Sequence, residues 1–272
     1  MPEPTSSEAP FEGSTWEDDE TRATGVLRAL CTLLAAGFLA YAQWKAPANW
    51  PGPIGQNWGR WVWTSVVCNL ALPVGIIWMF FGQGLTFQDW LRDQKHIAWN
   101  YGWNTTFNWH ELHFTRGKRN FSFLVILLKW ENRSRHLKIA LGCWLVFLPF
   151  LIYFSRQSEM RAAYAAYLPP ATNFREWAFL LGTLVVYMFC WEWFFRGFSL
   201  FGIAQGLGPI VAIGLQAALF GLAHTGKPQI EMWSAFGGGL VLGTLSWREK
   251  SFFPAFLIHA LIHVSWAILV LI

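Results

Sequence analysis

WAFLLGTLVVYMFCWEWFF, residues 177–195, is an apolar run interrupted by one carboxylate, Glu192, and followed directly by Arg196. A helix needs about 20 predominantly apolar residues to cross a hydrocarbon core roughly 30 Å thick. Within that core a helix satisfies its backbone N–H and C=O groups from its own segment. The stretch therefore reads as a transmembrane helix. Its carboxylate asks for a partner, because an ionisable side chain inside a span costs roughly 2.5–3.5 kcal/mol on insertion scales.

Six further apolar runs follow the same rule: residues 26–43, 61–81, 137–154, 209–223, 232–245 and 254–272. The predicted fold is all-α, a multi-pass transmembrane helical bundle of about seven spans covering residues 25–272. The runs at 209–223 and 232–245 are short and rich in glycine. Neighbouring helices are expected to shield them, with Gly237, Gly238, Gly239 and Gly243 allowing close approach. Composition agrees: of 272 residues 54% are hydrophobic and only 13% charged, too few charges for a surface that faces water all round. Nineteen tryptophans fit the same picture, since indole is enriched where a bilayer meets water.

Charge is distributed unevenly. Residues 1–25 hold seven acidic side chains against one basic, although the whole chain stands at +4. The first 24 residues, rich in Pro, Ser and Glu, bury too little apolar area to offset the entropy of ordering them. They are expected to form a disordered acidic cytoplasmic tail. That stretch also lacks the basic region of a cleaved signal peptide, so the first run is expected to remain as a span. Arg92, Lys95, Arg116, Lys118, Arg119, Lys129, Arg133 and Arg135 all lie between the second and third runs, which makes that connection cytoplasmic. Counting spans forward puts Arg248 and Lys250 on the same side. The expected location is the cell membrane, multi-pass, with the N-terminus cytoplasmic. Within the long connection, residues 121–128 are too short to span and are expected in the interface or as a re-entrant segment. Its basic residues suit anionic lipid headgroups, and no nucleic-acid partner is expected. Cys31, Cys68, Cys143 and Cys190 all sit in apolar runs without paired spacing, as helix-packing residues.

Five ionisable residues occupy the apolar C-terminal third: Glu192, Arg196, His224, His259 and His263. Glu192 and Arg196 stand four apart and share a helix face, within ion-pair reach. The plainest reading is a self-neutralising pair with Arg196 reaching toward the headgroups. Such a pair needs no histidines, however, and three of them lie nearby on apolar helices. His259 and His263 also share a face. A carboxylate beside neutral imidazoles can deprotonate water, and the remaining N–H donors can hold the oxyanion formed when that water attacks an amide. The same residue types suit zinc, although no HExxH is present.

The order and spacing of these segments resemble the CPBP intramembrane proteases, the group that includes CAAX prenyl endopeptidases and bacterial Abi-type proteins. That family carries EExxxR, FxxxH and HxxxN. The corresponding residues are Trp191 and Glu192 to Arg196, then Phe220 to His224, then His259 to His263. The resemblance covers roughly residues 172–272. It implies a metal-free and cofactor-free glutamic peptidase that cuts near the C-terminus of a membrane-anchored protein or peptide. Two departures stand out: Trp191 takes the place of the family's first glutamate, and His263 that of its asparagine. The expected roles are Glu192 and His224 as activators of water, His259 and His263 as groups that orient water or hold the oxyanion, and Arg196 as the clamp on Glu192. Phe220 is expected to pack beside His224, and Trp191 to wall the pocket. The alternatives are a catalytically inactive scaffold or bacteriocin-immunity protein on the same helices, and a proton-coupled transporter.

Overall fold

A computed structural model describes residues 15–76, 133–249 and 251–272. Among these residues the chain is all helical, with no strand. Helix α1 spans Thr15–Lys45. Helix α2, Trp58–Val66, passes through a π-helical segment, Val67–Ala71, into the short α3, Leu72–Ile76. Then come α4 (Arg133–Ser155), α5 (Ser158–Tyr167) and α6 (Phe174–Glu192). A second π-helical segment, Trp193–Ser199, joins α6 to α7 (Leu200–Leu222), and α8 (Gln229–Glu249) and α9 (Phe253–Leu271) complete the chain.

Each of the seven expected spans falls on helix over its described residues. Among the described residues four segments are long and apolar enough to cross a bilayer: residues 25–49, 134–155, 174–204 and 253–271. The expected span at 209–223 falls largely on a shorter apolar helix at 206–222, and that at 232–245 lies inside α8. α1 begins at Thr15, well before the expected span start at residue 26, so the helix runs into the acidic stretch. The rest of the expected tail, and most of the long basic connection with residues 121–128, lie outside the described residues.

Local chemistry explains where the site-bearing helices start and bend. Asn173 caps α6 by accepting from the Glu176 N–H at 3.1 Å, and the Glu176 carboxylate accepts in turn from the Thr172 N–H at 2.7 Å. One orphan donor of the first turn and the N–H just before the cap are thus satisfied. α7 is kinked at Gly208, whose φ of 76° favours glycine, just before Pro209, which has no N–H to donate. Pro254 opens α9, where a missing N–H costs nothing.

α7 packs against both α1 and α8, α9 against α4 and α6, and α2 against α6. The apolar side chains of α4, among them Leu137, Leu145, Val146 and Phe150, stay exposed, as on a helix facing lipid. The glycine-rich face of α8 behaves as its composition suggests: a Cβ on Gly239 would stand 2.9 Å from the Ala217 Cα of α7. Alanine at that position gains up to about 1 kcal/mol in helix propensity, but a backbone clash costs about 1–3 kcal/mol. Gly239→Ala is therefore expected to lower the thermal unfolding midpoint in detergent, whereas Gly237→Ala, with nothing within 4 Å, should not.

The two ends that the basic residues place on one side do meet. Arg135 Nη2, at the start of α4, lies 2.7 Å from Glu249 Oε1, at the end of α8. The four cysteines are free.

Candidate active site

Glu192 is the last residue of α6 and Arg196 lies in the π-helical segment that follows; both are 0% exposed. Arg196 Nη1 donates to Glu192 Oε1 at 3.0 Å. The expected ion pair is therefore present, but Arg196 does not reach toward headgroups. Its guanidinium instead lies over the Phe220 ring, 3.9 Å from the centroid. A π-helical turn widens the helix, and such turns are frequent at functional sites.

α9 brings in the first histidine. His259 Nδ1 lies 2.5 Å from Glu192 Oε1. Against a carboxylate already paired with Arg196, Nδ1 is the donor, so a neutral ring leaves its Nε2 lone pair open. His224, just past the end of α7, shows the same pattern: its Nδ1 lies 2.7 Å from the Phe220 carbonyl, which can only accept. That bond fixes the tautomer and leaves Nε2 as an acceptor. His263 does not touch the carboxylate and packs against His259, ring centroids 4.7 Å apart. Phe220 joins the parts, since its ring contacts Arg196, His224 and His259.

Both histidines are thus oriented through Nδ1 by a carboxylate or a backbone carbonyl. Glu192 uses one oxygen for both partners, and its Oε2 has no partner among the described residues. No group of three or more His, Cys, Asp or Glu is arranged to hold a metal ion among those residues.

Beside this cluster lies a cavity of about 240 Å³, walled by aromatic side chains that include Trp61, Tyr187, Trp191 and Phe195. Trp191 lines it and packs edge-on to His224 with centroids 5.9 Å apart. Of the proposed reactive groups His224 lines the cavity, whereas Glu192, His259 and His263 are not part of its lining. Sequence reasoning missed Lys227, also in the lining. Lys227 Nζ and Tyr164 Oη both donate to Glu231 Oε1 at 2.7 Å, and Lys227 lies over the Tyr167 ring. Burial and the Glu231 carboxylate push the Tyr164 phenol well above its usual range, so it stays a donor. The i,i+4 spacing of Lys227 and Glu231 was the available signal, but such pairs are common on solvated faces.

Residues 173–265 match the family model described as Type II CAAX prenyl endopeptidase Rce1-like. No curated protein and no solved structure matches the chain. The resemblance to CPBP proteases inferred for residues 172–272 is borne out over the matched segment, which holds Glu192, Arg196, Phe220, His224, His259 and His263. This part of a helical membrane protein is similar to a protease family.

Proposed function

We propose that the chain is an intramembrane endopeptidase that hydrolyses a peptide bond near the C-terminus of a membrane-anchored protein or peptide. One observation carries the reading: a buried carboxylate held by Arg196 and His259, from two helical segments, inside the stretch that matches a protease family. Glu192 acts as base through Oε2, its open oxygen. A water delivers its proton there as its oxygen attacks the scissile carbonyl, and the proton passes to the leaving amine as the bond breaks. His224 Nε2 receives a hydrogen bond from water at the cavity wall. His259 holds Glu192 in register, His263 fixes His259, and Arg196 clamps the carboxylate. The aromatic cavity takes the apolar part of the substrate. The protein sits in the cell membrane with its N-terminus in the cytoplasm.

A second reading has one observation in its favour. Glu192 is fully buried and the cavity-facing position beside it is Trp191, which cannot activate water. A non-catalytic scaffold would keep the same polar cluster for packing. Reconstitution in vesicles separates the two. A farnesylated peptide ending in a CAAX-type tetrapeptide and a reporter anchored by a C-terminal helix are each incubated with the protein and followed by mass spectrometry. A truncated product made by wild type and not by Glu192→Gln supports the protease. Intact substrates throughout, with the protein folded, support the scaffold.

A further inference from the structure

Asn69 is 0% exposed, and neither its Oδ1 nor its Nδ2 has a partner among the described residues. A buried side-chain amide with both ends open costs several hydrogen bonds, so its position needs a reason. It lies in Val67–Ala71, the π-helical segment outside the matched family region. That segment packs against both α6 and the second π-helical segment, the two elements that meet between Glu192 and Trp193.

The register of α2 on α6 carries Asn69 to the same level. Trp58 Nε1 donates to Thr183 Oγ1 at 2.8 Å, and the Trp61 and Tyr187 rings lie 5.9 Å apart. The two helices thus run in parallel, advancing together by about a turn. Continuing this offset along both helices pairs Ser65 with Trp191 and Asn69 with Phe195, which precedes Arg196, in keeping with the packing of segment 67–71 against segment 193–199. Ser65 and Asn69 form a buried polar file on one face of this span, and Ser65 accepts from Gln43, which lines the cavity.

Three side chains with open polar atoms thus lie on segments that pack together. Glu192 offers an acceptor, Oε2; Arg196 offers donors, Nε and Nη2; Asn69 offers one of each. A buried water takes two to four such partners. We propose that Asn69 is a further member of the site, sharing a bound water with Glu192 Oε2 and Arg196. The span at 58–76 thereby supplies an amide, the group that the family motif carries where this chain has His263. The catalytic consequence rests on the protease reading: the shared water is the one Glu192 activates, and Asn69 holds it in line.

The test has two arms. In the first, thermal midpoints in detergent are compared for wild type, Asn69→Leu, Glu192→Gln and the double variant. Asn69→Leu is expected to lower the midpoint by a few degrees and Glu192→Gln by more, because it also leaves Arg196 without its counter-charge, and the double to fall no further than Glu192→Gln alone, because the shared water is already disturbed there. Additive losses, or an Asn69→Leu midpoint at or above wild type, overturn the proposal. If Asn69→Leu does not accumulate, Asn69→Ala takes its place in the same cycle. In the second arm, Asn69→Leu is expected to lower kcat on the farnesylated peptide at least tenfold with KM within twofold; unchanged kcat overturns the catalytic consequence. Should wild type cleave neither probe, the protease reading fails while the thermal cycle still decides whether the water is shared.

Discussion

Glu192→Ala is expected to be the most destabilising single change in the membrane core, at about 3–5 kcal/mol. Arg196 is fully buried, and its one hydrogen-bonded anionic partner among the described residues is Glu192. Removing the carboxylate leaves a guanidinium with no compensating charge in a low-dielectric interior. Contact with the Phe220 ring offsets only a part, about 2 kcal/mol at best. His259 Nδ1 loses its acceptor at the same time. The measurement is thermal unfolding in detergent, with accumulation in the membrane as a second readout. The loss should be relieved by removing both charges: a Glu192→Leu, Arg196→Met double variant is expected to be more stable than Glu192→Ala, because well-packed apolar side chains replace buried ion pairs with little loss. A double variant as unstable as the single one would mean that packing around α6, rather than the stranded charge, sets the cost.

The same residue shows how far the sequence could be read. Spacing of four placed Glu192 and Arg196 within reach, and the structure pairs them at 3.0 Å. That argument assumed an α-helix throughout. The π-helical turn at Trp193–Ser199 is invisible to periodicity, since nothing in WFFRGFS distinguishes a 3.6-residue from a wider turn. The depth of the pair was equally hidden. Whether an arginine reaches the headgroups or turns inward depends on what covers it, and here Phe220 from α7 provides the cover. Hydropathy located the helices because burial in lipid is a local requirement. The Tyr164, Lys227 and Glu231 cluster joins α5 to the α7–α8 turn and the start of α8, and the segment 67–71 packs against the site-bearing segments from far away in sequence. Such contacts between distant segments leave no mark in the periodicity of either one.

His224→Ala is expected to lower kcat about 10²- to 10⁴-fold on any substrate the wild type cleaves, the range that positioned acid–base groups supply. The Phe220 carbonyl accepts a hydrogen bond from Nδ1–H and holds the ring in place, so the lone pair on Nε2 is available for a water in the adjoining cavity. Losing the ring removes one hydrogen bond to a main-chain carbonyl, worth about 0.5–1.5 kcal/mol. It also removes an edge contact with Trp191. Both losses are small beside that of Glu192→Ala, so the variant is expected to remain folded and lose turnover. Steady-state kinetics in vesicles check this, with KM expected within twofold of wild type. A tenfold rise in KM at unchanged kcat would instead assign His224 to substrate contact within the aromatic cavity. Full activity would reduce it to a residue that closes the end of α7. Because His224 lines the cavity and Glu192 does not, these outcomes decide which group meets the substrate first.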